Sequence, residues 1–169
     1  YILGENFEYT LKNRIAIDLI GSILSTRYLE SIREREGGSY GVGTYGVMSR
    51  RPKPEMMILM NFDTDPDKQN HLLNIIYEEV ETIIKDGPLA TDLNKEKENL
   101  LKVYDQKIKE NGYWMDVVLM NYYNNKGLNY LTDYKKTVES INGKYIQKLL
   151  KEIYEQGNIV EVVMMPTRK

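Results

Sequence analysis

Leu11, Ile15, Leu19 and Ile23 fall on every fourth position, and Ile20 and Leu24 widen the stripe. This spacing predicts a helix from about Thr10 to Glu36, buried along one face. Ser25-Thr26 would divide it, leaving a second helix from about Arg27 with Tyr28, Leu29 and Ile32 as its apolar face. Gly37-Gly38 supplies the stop, since glycine readily takes the left-handed conformation beyond a last turn. The period then changes to two. Ser39 to Ser49 reads as a strand with Tyr40, Val42 and Thr44 on one face, and Gly41, Gly43 and Tyr45 on the other. Arg50-Arg51-Pro52-Lys53-Pro54 is a charged turn, and Glu55 to Phe62 is a second, more apolar strand. The short connection makes the pair an antiparallel hairpin. Glycines inside such a strand weaken it and often mark close approach of another backbone or a ligand.

Helical spacing returns after Asp65-Pro66, where Asp65 is placed to cap and Pro66 to open a helix. Leu72, Leu73, Ile76, Val80, Ile83 and Ile84 form its face, and Gly87-Pro88 ends it. Thr91 is the expected cap of another helix running to about Asn111-Gly112. Its charges are dense and its apolar positions sparse, so most of it should be solvated. A shorter aromatic helix spans Tyr113 to about Tyr123. A last amphipathic helix runs from about Asn142 to Glu155, with Tyr145, Ile146, Leu149, Leu150 and Ile153 turned inward, and Ile159 to Met165 has strand composition. The order predicts an α+β fold, an antiparallel sheet with helices packed on one face. Tyr1-Ile2-Leu3-Gly4 reads as the end of a strand already under way, so residues 1–169 are expected to be a single domain from a longer polypeptide.

Composition narrows the chemistry. With 23 Lys and Arg against 25 Asp and Glu, the net charge of −2 argues against the nucleic-acid backbone as a partner. No apolar run approaches the roughly 18 residues of a membrane span. The 169 residues include no cysteine, which excludes thiol catalysis, disulfides and cysteine-held metal clusters. The one histidine, His71, cannot alone build a catalytic zinc site, which ordinarily takes at least two. No metal or cofactor site is expected within the chain.

One segment joins a basic helix end to a strand: Arg33-Glu34-Arg35-Glu36-Gly37-Gly38-Ser39-Tyr40. A guanidinium at Arg33 offers forked donors for peptide carbonyls or a carboxylate. The Tyr40 hydroxyl could donate to a developing oxyanion. The plainer alternative is that Arg33 and Arg35 complement the helix dipole and pair with neighbouring glutamates, with Tyr40 a packed strand residue. Gly41-Val42-Gly43-Thr44-Tyr45-Gly46 matches the dinucleotide pattern in letters, but lies inside a strand instead of opening a helix. Asp63, Asp65 and Asp67 suggest capping before calcium, because the loop lacks the glycine and closing glutamate of an EF-hand. Tyr113, Trp114, Tyr122 and Tyr123 read first as core, with an aromatic peptide-binding surface as the alternative.

The chain resembles the C-terminal, non-zinc part of a metallopeptidase of the pitrilysin, insulysin and mitochondrial processing peptidase family (peptidase family M16). The resemblance is carried by the helix from Leu19 to Leu29, then Ile32-Arg33-Glu34-Arg35-Glu36-Gly37-Gly38-Ser39-Tyr40-Gly41-Val42. It extends through Asp65-Pro66, Gly87-Pro88-Leu89 with Thr91, and the terminal Val163-Met164-Met165-Pro166. It implies the fold of the LuxS and processing-peptidase metallohydrolases, here as a partial domain. It also implies two homologous halves closing into a chamber. One half holds zinc through His-x-x-Glu-His and a later Glu. The other supplies an Arg and a Tyr seven positions apart, matched here by Arg33, anchoring an extended peptide substrate, and Tyr40, assisting the oxyanion. His71-Leu72-Leu73-Asn74-Ile75 is not the zinc motif, so zinc would sit in a homologous partner domain or subunit, and this chain alone would be inactive. The alternatives are a non-catalytic structural subunit and a peptide-binding module. A secreted bacterial parent would place the chain in the periplasm, any other parent in the cytoplasm.

Overall fold

The computed structural model describes residues 1–36, 41–125 and 133–165, with residues 33–36 described as helix backbone alone. Four strands form one antiparallel sheet, β1 (Ile2–Glu5), β2 (Val42–Ser49), β3 (Glu55–Phe62) and β4 (Asn158–Ile159), in the order β2-β3-β1-β4. The hairpin β2–β3 is in full register from Val42 opposite Phe62 to Ser49 opposite Glu55. Strand β1 pairs Ile2 with Ile58 on one side and with Ile159 on the other. The architecture is the α+β arrangement that the alternation and helical spacing predict.

The helices are α1 (Leu11–Glu36), α2 (Gln69–Asp86), α3 (Ala90–Lys107), α4 (Asn111–Tyr123), α5 (Tyr134–Ser140) and α6 (Gly143–Tyr154). Helix α1 is continuous where a break at Ser25-Thr26 was expected. The Thr26 hydroxyl reaches Glu96 of α3 at 3.3 Å, so a residue that could open a new helix is occupied across the interface. The buried stripe runs on through Ile20, Leu24, Tyr28 and Ile32 and leaves Leu29 exposed, contrary to its expected inward position. Each buried aliphatic of this stripe contributes about 1.5–3 kcal/mol relative to leaving it in water.

Backbone meets backbone where α1 crosses β2. A Cβ on Gly46 would stand 1.7 Å from the Ile17 carbonyl oxygen, and one on Gly21 would stand 2.3 Å from the Gly46 nitrogen. The glycine-rich strand thus serves helix packing, the first of the two uses its glycines suggested. On the same face, Gly4 of β1 leaves room for Phe7 and Ile153 of α6.

Several boundaries differ from expectation. Pro66–Lys68 form a 3-10 turn ahead of α2, and the Asp65 carboxylate makes no capping hydrogen bond. Gly87, at φ 82°, closes α2 by donating to the Ile83 carbonyl at 2.9 Å. Helix α3 starts one residue before Thr91, with Leu89 at the cap position, and ends at Lys107 instead of near Asn111. It is also less solvated than its charge suggests, since Asp92 and Glu96 are buried beside Leu93. Helix α5 was not anticipated. Its seven residues bury Val138 alone, too little for a periodicity to register. Asn142 caps α6 as its position suggests, its side chain accepting from Tyr145 N–H at 2.9 Å. The terminal strand is two residues long, shorter than the Ile159 to Met165 run expected, and Val160 to Met165 are exposed.

Candidate functional site

The candidate residues lie at the junction of α1 and β2. Arg33 falls in the last turn of α1. Its side chain lies outside the described residues, as do Gly37 to Tyr40. The sequence pair Arg33 and Tyr40 is therefore neither brought together nor separated by the structure. What the structure gives is the frame on either side.

That frame is tightly held. Tyr28 is fully buried, and its hydroxyl donates to the Ile76 carbonyl at 3.2 Å and lies 3.3 Å from the Met60 sulfur, tying α1 to α2 and β3. Burial pushes this phenol well above its ordinary value, and Glu79 adds to the effect. Glu79 accepts from Arg27 at 3.3 Å and from the Ser31 hydroxyl, so the buried carboxylate has two donors from α1. Arg27 also bonds Glu30 at 2.8 Å. A buried carboxylate is costly unless paired and hydrogen-bonded, which explains why Ser31 and Arg27 both turn toward it. Sequence periodicity assigned neither Glu79 nor Ser31 a role, and the signal was present only as a polar residue on an apolar face. On the strand side, Asp63 N–H donates to the Gly41 carbonyl at 3.3 Å, closing the open end of the hairpin.

Two concavities stand out, one beside this frame and one toward the opposite end of α1. A slot of about 930 Å³ opens between the end of β3, the start of α2 and the chain after β4, lined by Met60, Phe62, Leu73, Ile76, Tyr77 and Val162 among others. The Tyr77 hydroxyl donates to the Glu161 carboxylate at its rim. Desolvation first, then that hydrogen bond, pushes the Tyr77 phenol up to about 12. A smaller cavity of about 300 Å³ lies between α1, α3 and α4, lined by Arg14, Asp18, Tyr104, Tyr113 and Tyr134. Tyr104 and Tyr134 stack there at 4.4 Å between ring centres. Loss of water on the side that faces the cavity raises the Asp18 carboxyl against the opposing pull of Arg14 and Lys107, although the residue keeps an exposed side.

Helix α4 is not the core element its composition suggested. Met115, Val118, Leu119 and Tyr122 are 62%, 51%, 57% and 85% exposed. They recur at intervals of three and four, so they form one apolar stripe turned to solvent. Trp114, read as core, is also exposed and donates from its indole to the Ile108 carbonyl at 2.7 Å. Among the described residues no group of three or more His, Asp or Glu stands close enough to hold a metal ion, and no helix is long and apolar enough to cross a membrane.

Residues 2–100, more than half of the chain, match the family model described as the peptidase M16 inactive domain. A curated relative from Arabidopsis thaliana, described as a PQQL-like zinc protease, is 26% identical over 112 residues, 63% of this chain and 12% of that protein. The chain thus spans about an eighth of the length of that relative. Among solved structures, the periplasmic protease PqqL from Escherichia coli aligns with a TM-score of 0.76 at 16% identity, over 90% of this chain and 17% of that one. A chain from Bordetella parapertussis described as an inactive peptidase domain aligns with a TM-score of 0.72 at 14% identity, over 99% of this chain and 89% of that one. At these identities the structural likeness speaks to the fold.

Proposed function

The chain belongs to the peptidase M16 family through its inactive domain, and on that premise we propose that it is the substrate-side, non-metal half of a zinc metalloendopeptidase. It belongs to a longer polypeptide or complex and acts only when a homologous zinc-binding half closes against it. In that assembly Arg33 holds the backbone carbonyls of an extended peptide. Tyr40 donates a hydrogen bond to the oxyanion of the tetrahedral intermediate. The partner half would hold the zinc ion, which would supply a Lewis acid for the scissile carbonyl and for water.

The observation that carries this reading is the match of residues 2–100, which spans the whole helix-to-strand junction bearing Arg33 and Tyr40. Its physical support is the frame on both sides of that junction. Tyr28, Ser31 and Arg27 fasten the end of α1, and the register of β2 with β3 fastens the start of the strand.

The test is made on the parent protein. Zinc near one equivalent per catalytic half, with chelator-sensitive cleavage of an unstructured quenched peptide, is the expected result. Tyr40→Phe should lower kcat by about 10²-fold or more, the size seen when one oxyanion donor is removed, and leave KM close to its starting value. An unchanged kcat would remove Tyr40 from the mechanism. The absence of zinc and of cleavage would instead favour a structural subunit, a role to which the solvent-facing apolar stripe of α4 lends support.

A further inference from the structure

The smaller cavity, between α1, α3 and α4, holds a polar group that packing leaves unaccounted for. Asn121 of α4 lines it and is only 6% exposed. Among the described residues nothing hydrogen-bonds its side-chain amide. An amide offers one acceptor oxygen and two donor hydrogens, and a buried group of this kind is ordinarily paired. The cavity itself is held open. Helix α4 is fastened near its start, where Tyr113 packs edge-on against Tyr104 and the Trp114 indole donates to the Ile108 carbonyl at 2.7 Å. Past its other end Arg50 and Arg51 donate to the Asn124 and Tyr123 carbonyls. With both ends tied, α4 does not settle into the gap. The walls come from inside the chain, from Leu11 to Asp18 of α1, Leu100 to Lys107 of α3, and α4.

The surroundings of Asn121 are aromatic and apolar. Tyr104 and Tyr134 stack with 4.4 Å between ring centres, and Tyr113 stands 6.3 Å from Tyr104. Leu100, Val103 and Val117 add aliphatic surface. Desolvation, then the charge of Asp18, pushes the Tyr134 phenol up to about 12, so its hydroxyl stays protonated at neutral pH. Arg14 and Lys107 line the same cavity as Asp18 and Asp116. Two positive and two negative side chains balance, and the site gives no preference to an ion of either sign. The volume is about 300 Å³. That is about twice the size of a cavity large enough for benzene, which leaves room for a substituted ring or two fused rings.

We propose that this cavity binds a small aromatic ligand of one or two rings, neutral overall, that carries a hydroxyl or N–H group for the Asn121 amide. The ring lies among the tyrosines, where offset and edge-on contacts are favourable. The polar group pairs the amide and fixes the orientation of the ring. Ligand sites ordinarily combine an apolar lining with a few convergent polar groups in this way. The proposal makes no use of Arg33, Tyr40 or zinc, so it stands or falls apart from the peptidase reading.

The experiment titrates the 169-residue chain with p-cresol and with toluene, which has the same ring and methyl group but no hydroxyl, and follows the backbone amide signals by NMR. p-Cresol is expected to shift Val103, Val117 and Asn121 together, with Kd on the order of 1 mM or below for a ligand of this size. Toluene should bind about threefold to tenfold more weakly, because it leaves the amide unpaired. Asn121→Leu should reverse that preference. Val117→Trp, which projects an indole into the cavity, should weaken both ligands more than tenfold. If that variant does not fold, the reversal by Asn121→Leu decides. Leu119→Ser, on the outer stripe of α4, should leave binding unchanged. Absence of p-cresol binding, equal affinity for the two ligands, or shifts confined to Met115 and Leu119 would each overturn the proposal.

Discussion

Helices α1 and α4 are both rich in apolar residues and end in opposite circumstances. Ile15, Ile17, Leu19, Ile20, Ile23, Leu24, Tyr28 and Ile32 of α1 are all buried. In α4, Met115, Val118, Leu119, Met120, Tyr122 and Tyr123 are all exposed. The difference lies in what each helix faces. Helix α1 crosses a sheet and packs against α2, α3, α5 and α6. Helix α4 touches its neighbours mainly at its ends and inner edge, through Tyr113 against Tyr104 and through Arg50 and Arg51, which donate to the Asn124 and Tyr123 carbonyls. Apolar content sets how much a helix gains from burial, and the partner decides whether that gain is realised within one chain. An exposed stripe of this kind ordinarily marks an interaction surface.

The contrast can be broken at its strongest point first. Gly46→Val puts side-chain atoms where the Ile17 carbonyl stands, and the expected outcome is loss of more than 4 kcal/mol or of the fold, read by urea unfolding. A folded, stable variant would mean that α1 can lift from β2 and that the contact is not a constraint. Leu24→Ala should cost about 2–5 kcal/mol in the same assay, the range for emptying a fully buried site.

Asp18 sits between the two regions, on α1 but over the cavity that α4 helps to close. Its carboxyl is raised, chiefly by desolvation. A carboxyl with a higher affinity for protons in the folded state disfavours folding once it is ionised, so stability falls as pH rises through its range. Asp18→Asn should therefore be slightly more stable than the original chain near neutral pH. The two should converge below the ordinary aspartate range, where Asp18 is protonated in both states. Urea midpoints measured across pH 3 to 7 check the sign. The smallest effect is expected on α4, where Leu119→Ser should change monomer stability by no more than about 0.5 kcal/mol. If the stripe meets the proposed partner half, the measurable consequence is weaker association with it. A larger loss of stability would show that α4 packs inside the chain after all.

The parts of the fold that were legible in the sequence are those set by local spacing. The α1 stripe, the β2–β3 hairpin and the α6 cap at Asn142 each follow from residues within a few positions of one another. What was not legible depends on distant partners. Thr26 continues α1 because Glu96 receives it, and no local pattern around Ser25-Thr26 carries that information. Val160 to Met165 have strand composition yet, beyond Val160, stand outside the sheet formed by the described residues, and composition alone does not supply a neighbour. The aromatic run of α4 has the composition of a core, and composition does not say against what. Of the candidate site, the Arg33–Tyr40 spacing was readable but its geometry lies outside the described residues. The bracing around it, above all Glu79 with Ser31, was invisible, since a glutamate on a helix is ordinarily a solvated one.

The glycine contact between α1 and β2 also acts as a mechanical datum. Side chains between a helix and a sheet can adjust by changing rotamer, but touching backbones have no such play. Arg33 lies twelve positions beyond Gly21, about 18 Å along the helix at 1.5 Å per residue. A rigid rod pinned that far back converts a small angular error at the pin into a displacement at its tip, and a tilt of about 3° would move the tip by about 1 Å. Part of what positions the helix end thus lies well behind its tip, in two residues that have no side chains.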